Sequence, residues 1–254
     1  MASRSGSSWR LSAALWAEHR LPGLARMLQP SAVLPGELGP HGIVYRGADG
    51  GPLLVLVGGA AFEPLWLGSA LASALGGVAV VVPEQDAGSL PAGALEETAD
   101  EPEVRGAQIR AAIASAPTLR ADAERVAIVG VGDGCSAALL TVAAPATASA
   151  VRRLVLLTPT SAPKAEFGRV PPTFLQSAPQ SATLAASRSL EIDLRDAGVA
   201  VRPVEYTGLP DAWVRYPRFA PGSKRAVGDI VAFLRRGFGM TGTFSVEIPG
   251  WDLK

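Results

Sequence analysis

Short runs of β-forming, mostly apolar residues recur along this chain with longer helix-type stretches between them, and that alternation constrains the fold more than any other feature. The runs are "GIVYRG" (42–47), "PLLVLVGG" (52–59), "VAVVVP" (78–83), "RVAIVG" (125–130), "RRLVLLTP" (152–159), "PTFLQS" (172–177) and "VAVRPVEYTG" (199–208). Most are continuously apolar rather than alternating, which requires cover on both faces. Helical patterns at 64–75, 102–116, 134–144, 182–197 and 223–236 supply that cover. The expected fold is therefore α/β, with a mostly parallel central sheet and helices on both faces. The boundaries implied are an N-terminal extension over 1–41, a single domain over 42–238 and a C-terminal tail over 239–254.

Composition excludes several function classes. With 254 residues, 48% hydrophobic and 18% charged, the chain has the material for a sizeable core. Lys plus Arg and Asp plus Glu are balanced at 23 each and no basic stripe appears, so no nucleic-acid partner is expected. Cys135 is the only cysteine, which rules out an intramolecular disulfide and a multi-cysteine metal site. Glu96, Glu97, Asp100, Glu101 and Glu103 form an acidic run, but the prolines and glycine around it read as a solvated loop entering a helix. Neither a metal nor a cofactor is expected. Residues 64–83 carry no charge, yet Gly76-Gly77 divides them into helix-type "LWLGSALASAL" and strand-type "VAVVV", so no transmembrane span is expected.

The N-terminal segment has its own character. Arg4, Arg10, Arg20 and Arg26 stand against a single acid, Glu18, over residues 1–36. That composition fits a mitochondrial transit segment, and a flexible bacterial or cytoplasmic N-terminus fits it as well. Trp9, Leu11, Leu15 and Trp16 are large apolar groups that need cover. The expected partners are other protein subunits bound through this extension, with peripheral membrane association as a second means of covering it.

The chemistry-bearing candidate is "VAIVGVGDGCSAALL" at 126–140, a buried strand running through a glycine-rich turn into a helix of small residues. Gly130 and Gly134 are the small flanks that a sharp strand-turn-helix needs, which places its tip at Gly132. A tip at Asp133 would put Val131 and Cys135 on the flanks, and valine is too large there. Cys135 and Ser136 fall in the first helical turn, where a small buried residue is the ordinary role. Gly132, Gly134 and Ala137 also satisfy a G-x-G-x-x-A dinucleotide pattern, but "RRLVLLTPTSAP" offers no acid for a ribose.

This turn resembles the nucleophile elbow of the α/β-hydrolase superfamily, and the rest of the chain follows in the family's order. "LLVLVGGAAFEP" resembles the strand and loop that contribute to the oxyanion hole, through Gly58 and Gly59. "PTFLQSAPQS" resembles the strand and loop of the acid, "EYTGLPDAWV" the turn of the histidine, and "RAVGDIVAFLRRGF" the closing helix. The resemblance covers about residues 42–238 and is nearest to small lidless members such as dienelactone hydrolases, since only 14 residues separate Thr158 from Thr173. Carried over by position, the nucleophile falls on Gly132, the acid near Ser181 with Gln180 as the neighbouring choice, and the histidine on Asp211. The triad is degenerate at each place. Both histidines, His19 and His41, precede the strand at 52–57.

The expectation from sequence is a non-catalytic α/β-hydrolase-like protein, a scaffold or accessory subunit of a larger assembly and not an enzyme. Two alternatives stand beside it. One is a small-molecule-binding pseudoenzyme whose pocket is lined by Gly58, Gly59, Asp133 and Trp213. The other is an active small esterase or thioesterase with a displaced nucleophile.

Overall fold

A computed structural model describes residues 30–59, 64–83, 101–179, 181–220 and 222–246. The elements in chain order are β1 (Gly36–Gly39), β2 (Gly42–Arg46), β3 (Pro52–Val57), α1 (Leu65–Leu75), β4 (Val78–Val82), α2 (Glu101–Ala114) and β5 (Asp122–Val131). They continue with α3 (Gly134–Ala143), β6 (Val151–Leu157), β7 (Thr173–Ser177), α4 (Leu184–Asp196), β8 (Val201–Glu205) and α5 (Ser223–Gly237). The strands form one 8-stranded sheet in the order β1-β2-β4-β3-β5-β6-β7-β8. From β4 to β8 every pairing is parallel, while β1–β2 and β2–β4 are antiparallel.

The continuous apolar runs form strands because successive side chains are buried on opposite faces. In β5, Val126 and Ile128 enter one cluster with α2, α3 and α4, whereas Ala127 and Val129 enter the other with α1 and α5. Both faces are thus covered, and each fully buried leucine on them contributes about 2 kcal/mol of burial. The uncharged stretch at 64–83 is divided at Gly76 into α1 and β4. Among the described residues no helix is long and apolar enough to cross a membrane. β6 and β7 are joined without a helix, so no lid stands between them.

One strand is added to the expected set. β1, "GELG", carries no apolar pattern and is held by backbone pairing with β2 from Gly36↔Tyr45 to Gly39↔Gly42. Residues 1–29, on which most of the proposed partner contact and the organellar reading fall, lie outside the described residues. So does most of the acidic run.

Candidate active site

The C-terminal edge of a parallel sheet is where an open α/β fold places its ligands. Here β3, β5 and β6 end side by side at that edge. β5 stops at Val131, Gly132 turns the chain with φ 58°, and Asp133 is the N-cap residue of α3. The Gly132 N–H donates to the Leu157 carbonyl at 2.9 Å, and the Cys135 N–H donates to the Gly132 carbonyl at 3.1 Å. Residue 132 therefore sits in the left-handed region at the apex of a sharp turn.

The flanking glycines are imposed by close approach. A Cβ at Gly134 would lie 2.3 Å from the Val57 carbonyl oxygen and 2.6 Å from that of Gly58, and one at Gly130 would lie 2.7 Å from the Cys135 Cα. No side chain fits at either place. At Gly132 a Cβ would meet nothing within 4 Å. The turn is closed beneath and open above.

Asp133 faces the loop after β3. A Cβ at Gly59 would lie 3.1 Å from the Asp133 Oδ2 and 3.3 Å from its backbone nitrogen. The Asp133 carboxylate is exposed and accepts a short hydrogen bond from the Thr160 hydroxyl in the connection after β6. Gly58 is fixed from behind, its carbonyl accepting from Arg105 Nη1 at 3.0 Å. Beside this group the Ser136 and Ser161 hydroxyls lie 2.8 Å apart. Cys135 is buried, with its Sγ 3.4 Å from the Leu157 carbonyl oxygen; burial pushes its thiol well above the ordinary range, and Asp133 adds to that rise. A thiol so held stays protonated and is a poor nucleophile.

The other sequence candidates lie on other elements. Ser181 follows β7, with its hydroxyl 2.7 Å from that of Thr183 and accepting from the Thr183 N–H at 2.8 Å, a local turn leading into α4. Asp211 opens a 3-10 turn, Asp211–Val214. Trp213, expected at the pocket, is wholly buried with Tyr206 and Val214 in the α1 and α5 cluster, edge-on to Trp66 at 6.3 Å. His41 lies in the β1–β2 hairpin at the same edge of the sheet, but β4 and β3 stand between β2 and β5. At roughly 4.8 Å per strand it is about 14 Å from the turn, out of reach. Among the described residues no group of His, Cys, Asp and Glu is placed to hold a metal ion.

Thr160 and Arg105 are the residues that sequence reasoning missed. Arg105 sits in a helix of mixed charge, and Thr160 in a short "TPTSAP" connection. Neither carries a local signal.

The chain has the fold of the α/β-hydrolase superfamily. No family model and no curated protein matches it by sequence; the likeness is to solved structures. A Pyrobaculum calidifontis esterase aligns with TM-score 0.67 and 16% identity over 91% of this chain and 94% of its own. The carboxylesterase EstE1 from a metagenomic library aligns with TM-score 0.66 and 17% identity over 93% and 99%. A hormone-sensitive lipase from a metagenome library gives TM-score 0.68 and 15% identity over 92% and 99%. These matches correct the expectation of a non-catalytic scaffold or accessory subunit, and with it the expectation that the chain is not an enzyme. The matched proteins are esterases and a lipase, and nothing in the fold supports a scaffold role.

Proposed function

We propose that this chain is a small ester hydrolase whose reacting side chain is displaced by one residue, from the tip of the turn to Asp133. The observation that carries this is the setting of the Asp133 carboxylate, oriented by the Thr160 hydroxyl against the Gly59 backbone beside an open space at Gly132. The expectation of inactivity equated a missing imidazole with missing chemistry. A serine needs a base to become a nucleophile, but a carboxylate is itself a base.

In this reading a substrate water sits over Gly132 and attacks the ester carbonyl while Asp133 takes its proton. The carbonyl oxygen becomes an oxyanion against the backbone N–H groups of Gly59 and Asp133. Collapse of the tetrahedral intermediate breaks the bond to the alcohol oxygen, which receives the proton from Asp133. The products are the acid and the alcohol, and no bond to the protein forms. General-base assistance supplies about 10²–10⁴-fold and each oxyanion donor about 10²–10³-fold, so turnover is expected to be slower than that of a serine triad. Short acyl groups suit a site without a lid.

The test is hydrolysis of p-nitrophenyl acetate before and after treatment with a fluorophosphonate. Turnover that survives the reagent, with no phosphonylated serine in the intact mass, is the expected result. Loss of turnover together with a labelled serine contradicts the direct water attack.

A further inference from the structure

Arg105 is the only charged side chain among the described residues that is buried, at 7% exposure. Burying a guanidinium is costly, and it is retained where its N–H groups are put to use. Its Nη1 reaches from the second turn of α2 to the Gly58 carbonyl oxygen at 3.0 Å. That carbonyl and the Gly59 N–H belong to one peptide. Among the described residues no peptide is cis, so the two groups point in opposite directions. Fixing the carbonyl on the Arg105 side therefore aims the Gly59 N–H away from α2.

The peptide is also confined from the other side. The same Gly58 oxygen would lie 2.6 Å from a Cβ at Gly134, so it is wedged between the guanidinium and the first turn of α3. Gly59 in turn rests against Asp133. We infer that Arg105 is a positioning residue: it locks the Gly58–Gly59 peptide so that the Gly59 N–H is already set to receive the charge developing on the substrate oxygen. Donors fixed before the reaction are the ones that stabilise such charge without reorganising. This rests on the hydrolase reading of the same site, and it also makes a claim about the resting protein.

The test uses the full-length chain and two readouts. In Arg105→Ala the Gly59 amide order parameter, measured by NMR relaxation, is expected to fall from about 0.85 to about 0.6, and sub-denaturing guanidinium ion to raise it again. In p-nitrophenyl acetate hydrolysis the same variant is expected to lose about tenfold in kcat with KM within about twofold, and guanidinium to restore kcat. Arg105→Met keeps the bulk without a donor and carries both measurements should Arg105→Ala not fold. An unchanged Gly59 order parameter, or a kcat equal to wild type, overturns the positioning role. A loss of kcat in Arg105→Ala that guanidinium does not reverse overturns it as well. A wild-type chain without turnover overturns the hydrolase reading alone, and the Gly59 order parameter then decides the role of Arg105 by itself.

Discussion

Gly132 and Gly134 are two residues apart and are glycine for different reasons. The first is held at φ 58° with open space where a Cβ would go, and the second has a carbonyl oxygen 2.3 Å from that point. Gly132→Ala is therefore expected to cost about 1 kcal/mol, the strain of a left-handed residue. Gly134→Ala is expected to cost about 3 kcal/mol or more, since backbone must shift. Urea denaturation of both variants checks the order, and equal costs would contradict the geometry. Cys135 gives a second prediction at this scale. Its buried thiol should resist iodoacetamide in the native protein and react only on unfolding. The native state keeps that proton while the unfolded chain releases it near its ordinary range, about pH 8.5. Stability is thus full below that pH and falls above it, by up to about 1.4 kcal/mol per pH unit. Denaturation midpoints measured from pH 7 to 10 should decline, and Cys135→Ala should remove part of the decline.

Between elements, the Tyr206 hydroxyl at the end of β8 donates to Asp229 Oδ2 of α5 at 2.5 Å. Burial, and then the Asp229 carboxylate, push that phenol well above its ordinary range. Tyr206→Phe is expected to destabilise the fold by about 1.5 kcal/mol, the worth of a hydrogen bond to a charged group. An unchanged urea midpoint would show that this bond does not tie β8 to α5. Strands such as β3, "PLLVLV", and β4, "VAVVV", were legible in the sequence because burial on both faces leaves only apolar residues along them. β1 was not, since pairing at the sheet edge through backbone, with the Arg46–Glu37 ion pair across it, needs no apolar side chain. β5 begins at Asp122, three residues before the apolar run, because Asp122 pairs with Pro52 ahead of a register shift, after which Val126 pairs with Leu53.

At the scale of the whole molecule, two apolar layers hold the sheet and leave the ends of β3, β5 and β6 as the place where polar groups meet. The Gly132 turn and the Gly58–Gly59 loop were legible because each is a local glycine pattern. Thr160 and Arg105 were not: they reach Asp133 and Gly58 across 27 and 47 residues, contacts that only the folded sheet creates. The functional expectation drew inactivity from the missing imidazole and weighed Asp133 only as a tip of the turn and a pocket residue, whereas the proposal above makes Asp133 the base. Steady-state hydrolysis of p-nitrophenyl acetate by the wild-type chain and by Asp133→Asn is the measurement that decides between them. Turnover above a heat-inactivated control that falls by about a hundredfold or more in Asp133→Asn, with the urea midpoint unchanged, is the expected result. Turnover of equal rate in both proteins, or none in the wild type, would contradict a hydrolase built on Asp133.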